Sequence, residues 1–77
     1  MIDPTSPVPR WRQVADVLLA RIADGTYPPG SRVPSVMELS GEFGIAQATA
    51  QKTLTRLRED GALYTVPGLG SYVAKKG

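Results

Sequence analysis

Neither cysteine nor histidine occurs in the 77 residues. Disulfides and thiolate metal ligands are therefore excluded, and with histidine go the usual catalytic base, proton shuttle and zinc ligand. Apolar runs stay well short of the roughly 18 residues that a membrane span needs. The start, Met1-Ile2-Asp3-Pro4-Thr5-Ser6-Pro7, has no charged segment leading into an apolar core. The expectation is neither a signal peptide nor a membrane span, and a cytoplasmic location. Charge is nearly balanced: nine Lys and Arg against seven Asp and Glu leave a net +2, with a pI of about 9.3. Such a balance permits nucleic-acid binding without demanding it, so the placement of charge matters more than its sum. Of the acids, Asp16, Asp24, Glu38, Glu42, Glu59 and Asp60 read as solvated helix residues. No nucleophile, base and oxyanion donor can be assembled around them, so no catalytic, cofactor or metal site is expected.

What is present is a single small domain with 42% hydrophobic residues, a globular composition with a modest core. Its centre is Ser35 to Gly61. Ser35 is an N-cap with Glu38 three places on, which completes a capping box. Val36, Leu39 and Phe43 follow at i, i+3 and i+7, one buried face. Gly44 can take the left-handed conformation that ends a helix, and Ile45 plugs the corner. A second helix, about 46–60, buries Ala50, Leu54 and Leu57 and stops at Gly61. Two short helices joined by a Gly-containing turn make a helix-turn-helix, whose second helix commonly enters the DNA major groove. From Ile45 to Arg58 there are basic residues and no acidic one. Ala48, Thr49, Lys52 and Thr55 keep the outer side small or polar, and Gln47 and Gln51 occupy the first turn and a half. A groove-reading helix needs small residues for close approach, amides for base edges and cations for phosphates.

Around that centre, residues 1–8 read as a flexible, proline-bearing arm, 9–74 as the folded domain and 75–77 as a short basic tail. Pro9 opens a first helix carrying Trp11, Val14, Leu18 and Ile22 at intervals of three and four, which ends near Asp24-Gly25. Trp11 is read as a core anchor, and Tyr27 as packing on this helix. Ser31-Arg32-Val33 is long enough for a minimal strand. After Gly61 the period turns to that of strands: Ala62–Val66 and Ser71–Ala74, joined by Pro67-Gly68-Leu69-Gly70, make a β-hairpin. The expected architecture is mainly α with a small antiparallel hairpin: a winged helix-turn-helix of three helices plus a β wing.

These motifs, in order and at family spacing, resemble the DNA-binding domain of GntR-type bacterial transcription regulators. The resemblance runs from about Val8 to Val73. Pro9-Arg10-Trp11-Arg12-Gln13-Val14 resembles the entry to the family's first helix, with Trp11 where Tyr is common. Gly25-Thr26-Tyr27-Pro28-Pro29-Gly30-Ser31-Arg32-Val33-Pro34-Ser35 resembles its most recognisable segment. Glu38-Leu39, Phe43-Gly44-Ile45, Leu54-x-x-Leu57-x-x-x-Gly61 and Pro67-Gly68-Leu69-Gly70-Ser71-Tyr72-Val73 follow in register.

The resemblance implies a sequence-specific DNA-binding regulator, a repressor by family habit, in the bacterial cytoplasm. Its partner would be a palindromic double-stranded operator holding two copies, a homodimer on DNA. The DNA-contacting positions it implies are Ser35 and Met37 in the second helix; Ala46, Gln47, Thr49, Gln51 and Lys52 in the third, with Ala48 beside them; and Gly68 and Gly70 in the wing. Leu69 at the wing tip would lie along the minor groove or sugar edge.

Met37, Gln47 and Gln51 stand where the family commonly has arginines, and Ala46 replaces a Ser or Thr cap. Fewer guanidinium groups mean a flatter salt dependence, while glutamine can still read adenine. Loss of the cap should weaken the third helix by roughly 1 kcal/mol. Family members normally continue into an effector domain, whereas this chain stops four residues after Val73 and shows no effector pocket in its sequence. Two other readings stay open: a winged-helix protein-interaction adaptor, and a fragment of a longer effector-responsive regulator.

Overall fold

The computed structural model describes residues 2–3 and 5–75; Met1, Pro4 and the Lys76-Gly77 end of the expected tail lie outside the described residues. Three helices and a hairpin follow one another: α1 Arg10–Ala23, α2 Val36–Phe43, α3 Gln47–Glu59, β1 Leu63–Val66 and β2 Gly70–Val73. This is the winged helix-turn-helix architecture expected from the sequence.

Pro9 caps α1 from outside rather than opening it: its carbonyl accepts the N–H groups of Arg12 and Gln13. Val14, Ala15 and Leu18 form the buried stripe of α1. The preceding segment is tied to the same helix. The Gln13 amide donates to the carbonyls of Asp3 (3.0 Å) and Val8 (2.9 Å), and its oxygen accepts the Asp3 N–H at 2.8 Å. Ile2 packs against the core.

The capping box that starts α2 is complete. The Glu38 N–H donates to Ser35 Oγ at 3.2 Å, and the Ser35 N–H donates to the Glu38 carboxylate at 3.0 Å. Leu39 and Phe43 are buried, but Val36 is only half-buried and lines a surface groove. Gly44 ends the helix with φ +64°, and Ser40 Oγ locks the turn by donating to the Ile45 carbonyl at 2.6 Å. Ile45 fills the corner between α2 and α3, and Ala50, Thr53, Leu54 and Leu57 carry α3 onto the core. Arg21 joins the two ends of the bundle. Its guanidinium pairs with Glu42, donates to the Tyr27 hydroxyl at 2.8 Å, and lies 5.6 Å from the Phe43 ring centre. The Glu42 carboxylate first, then the Tyr27 hydroxyl, hold its proton more firmly than in a free arginine.

The hairpin pairs Leu63 with Val73, Tyr64 with Tyr72, Thr65 with Ser71 and Val66 with Gly70. Period-two alternation buries Leu63 and Val73 and stacks Tyr64 on Tyr72 on the other face, centroids 5.8 Å apart. The strand expected at residues 31–33 forms a single bridge, Arg32 to Tyr72. Even so, Val33 donates to the Ser71 carbonyl and Val73 to the Ser31 carbonyl, both at 2.9 Å. Pro34 follows at once and, lacking an N–H, cannot extend the ladder. The connection before α2 thus runs along the wing. Among the described residues no helix is long and apolar enough to cross a membrane.

Candidate nucleic-acid interface

α3 begins without a side-chain cap. Ala46 takes the extended conformation of an N-cap, but it offers no oxygen, and the first turn holds no acid. Its carbonyl accepts the N–H groups of Thr49 and Ala50. The Gln47 and Ala48 N–H groups thus have no partner among the described residues, and with the positive end of the helix dipole they suit a phosphate or a base acceptor.

Burial on α3 fixes what the outer side presents. With Ala50, Thr53, Leu54 and Leu57 inward, Ala46, Gln47, Ala48, Gln51 and Lys52 are exposed, and Thr49 is half-buried. Gln51 donates to Thr55 Oγ1 at 3.2 Å, which orders its amide along the helix. Lys52 leans the other way, toward α1, with its ammonium 5.5 Å from the Trp11 ring centre. In α2, Met37 is an apolar side chain left 72% exposed, whereas Ser35, at the N-cap, is committed to the capping box. At the wing tip Gly68 has φ +79° and Gly70 φ +124°, and Leu69 between them projects outward. Every candidate from the sequence thus belongs to the helix-turn-helix or to the wing tip.

A groove of about 200 Å³ joins these parts. Ser35 and Val36 from α2, Gln51, Thr55 and Arg58 from α3, and Thr65 and Ser71 from the hairpin line it. Its walls mix the apolar Val36 and Leu54 with hydroxyls, an amide and a guanidinium, donors that suit a polyanion backbone.

Two arginines at this surface were not singled out from the sequence. Arg58 lies seven residues after Gln51 and four before Ala62, so the spacing 51, 55, 58 already marked one face of α3. Arg32 could not have been found by periodicity. It stands 3.5 Å from Glu38 and 3.4 Å from the Leu69 carbonyl, and so links the start of α2 to the wing tip. Glu38 is well suited to anchor it: the Ser35 N–H, the Ser35 hydroxyl and the Arg32 charge together hold its carboxyl below the usual glutamate range.

The sequence resembles known regulators over most of its length. It is 36% identical over 69 residues to the histidine utilization repressor of Pseudomonas putida, covering 90% of this chain and 28% of that protein. It is 34% identical over 74 residues to the transcriptional repressor NagR of Bacillus subtilis, covering 96% of this chain and 30% of that protein. The chain therefore spans less than a third of the length of these relatives. Among solved structures, AraR(DBD) in complex with operator ORR3 superposes with a TM-score of 0.85 at 30% identity, over 96% of this chain and 89% of that one. Residues 10–73 match the model of the bacterial regulatory proteins of the gntR family, and the chain belongs to that family.

Proposed function

We propose that this chain is the operator-reading domain of a transcription repressor and works by binding rather than catalysis. α3 enters the major groove of double-stranded DNA with its uncapped first turn leading. Gln47 and Gln51 face base edges, Ala48 and Thr49 allow close approach, and Ala46, Ser35 and Met37 lie at the strand entering the groove. Gly68, Leu69 and Gly70 bring the wing to the adjacent minor groove or sugar edge. The observation that carries this reading is the outward, acid-free and uncapped start of α3, set beside a wing held in place by Arg32.

One such helix reads a few base pairs, so useful affinity requires two copies on a palindrome. Residues 9–74 supply the reading head, with 1–8 and 75–77 as its flanking segments, in the bacterial cytoplasm where the operator lies. Repression follows if the bound pair occludes transcription, and the two relatives above are named as repressors.

The test is selection from a pool of random duplexes at two salt concentrations. An enriched palindrome with a shallow slope, about 3–6 counterions released per pair of copies, is the expected result. Absence of enrichment, with binding only at low salt, would overturn operator reading by this chain alone and leave a fragment that lacks its dimerisation domain or the protein-adaptor use of the fold.

A further inference from the structure

Trp11 is the one tryptophan of the chain. Read as a core anchor, it does pack against the core, but it stays half-buried and its ring carries two cations. The Lys52 ammonium lies 5.5 Å from the ring centre and the Arg56 guanidinium carbon 4.8 Å. Both cations come from α3, one turn apart. The Trp11 main chain is tied to the same helix: the Thr53 hydroxyl, between the two cations in sequence, lies 3.2 Å from the Trp11 carbonyl and 3.0 Å from that of Thr49. Arg56 has only a long contact of 3.9 Å with Glu59. Lys52 has no carboxylate within ion-pair distance among the described residues. The Lys52 charge is thus held by an aromatic face with no acid to cancel it among the described residues, and Arg56 divides itself between that face and the long contact with Glu59.

The position of the cluster gives it a use. α3 has two flanks. The wing flank carries Gln51, Thr55 and Arg58 into the groove described above. The α1 flank carries Lys52 and Arg56 against Trp11. A helix lying in a major groove about 12 Å wide has one phosphate strand on each side. Donors on the wing flank meet one strand, and Lys52 and Arg56 face the other. A lysine or arginine free in solvent loses rotamer freedom when it binds a phosphate. An indole face that already confines both cations removes part of that loss and leaves their N–H groups unspent.

We propose that Trp11 is a positioning residue that holds Lys52 and Arg56 as a two-pronged phosphate clamp on the α1 flank of α3. The clamp rests on the operator-reading function proposed above. It assigns Lys52 to the DNA backbone rather than to a base edge, and it adds to affinity equally on every sequence.

The experiment uses the full chain and the duplex enriched by selection, with affinity measured across a series of salt concentrations and on single-base operator variants. Lys52→Gln and Arg56→Gln should each flatten the log–log salt slope by about 0.9 per bound copy and leave the ranking of operator variants unchanged. Trp11→Leu, which keeps apolar bulk without the aromatic face, should weaken binding about two- to fivefold per copy, and Trp11→Tyr should restore most of it. In the Lys52→Gln, Arg56→Gln background, Trp11→Leu should have little further effect on affinity. The two α3 substitutions lie on the surface, so they test the clamp even if Trp11→Leu fails to fold. A salt slope unchanged by both would overturn the clamp while binding by the unaltered chain upholds operator reading. A changed base preference in Lys52→Gln would also overturn it, placing Lys52 on a base edge. If the unaltered chain does not bind duplex DNA, both proposals fall.

Discussion

The Thr53 hydroxyl of α3 lies 3.2 Å from the Trp11 carbonyl, 42 residues earlier in the chain. Thr53 is fully buried and is the single polar side chain within the described core. Its one proton is shared between Trp11 and its own helix at Thr49. This contact fixes the first turn of α1 against the middle of α3. Thr53→Val keeps the shape and removes the donor, leaving both carbonyls without it. A loss of about 1–2 kcal/mol is expected, read as a fall in Tm of about 4–8 °C per kcal/mol for a domain of this size. An unchanged Tm would show that the hydroxyl contributes packing alone.

Supplying the missing cap of α3 should act in the opposite direction. Ala46 already has the extended backbone of an N-cap. Ala46→Ser adds an acceptor for a first-turn N–H without moving the chain, and should stabilise the fold by about 0.5–2 kcal/mol. Urea denaturation measures this directly. The same hydroxyl competes with a phosphate for the helix start, so operator affinity should not rise with stability and should fall if a phosphate sits there.

Acid should loosen the link between α2 and the wing. The folded-state pKa of Glu38 is lowered, chiefly by the Ser35 N–H, then by its hydroxyl and the Arg32 charge. A lowered carboxylate pKa contributes stability that is fully present above the unfolded value and is lost as pH falls through the folded value. Glu38→Gln keeps an acceptor for Ser35 but does not titrate. The variant should therefore show a flatter fall of Tm below the ordinary glutamate range, where the parent chain declines. Asp3 and Asp24, each held low first by the side chain of a threonine two residues on, add to the same acid limb and persist in the variant.

Gly70 tests the wing. Its φ is +124°, and a Cβ there would meet Arg32 Nε at 3.2 Å. Gly70→Ala should cost about 1–3 kcal/mol through backbone strain, with the Arg32 side chain displaced from Leu69. Operator affinity should fall more than for a change at the solvent-facing Pro67, and a competition assay on the selected duplex would read the difference.

What periodicity and caps encode was legible in the sequence. Ser35 and Glu38 announced the start of α2, Gly44 its end, and the change to period two after Gly61 the hairpin. What was missed is side-chain chemistry between segments far apart in sequence. Arg32 reaching Leu69, Lys52 and Arg56 meeting Trp11, and Thr53 reaching the Trp11 carbonyl each join residues more than 35 positions apart. Helical spacing says which way such a residue points, but not what it meets. Val36 shows a related limit. Its i, i+3, i+7 register with Leu39 and Phe43 is correct, but a residue in the first turn of a short helix sits at the edge of the core and opens onto the groove.

The backbone pairing of residues 31–33 with β2 also bears on self-association. A two-stranded sheet offers an unpaired edge on either side, and each is a template for another chain. Here the β2 edge is occupied by Ser31 and Val33 of the same molecule, and Pro34 ends the run with no donor to offer. Recruitment of a foreign strand is thereby confined to the β1 side, where Leu63 is buried and the neighbouring Tyr64 and Thr65 are exposed.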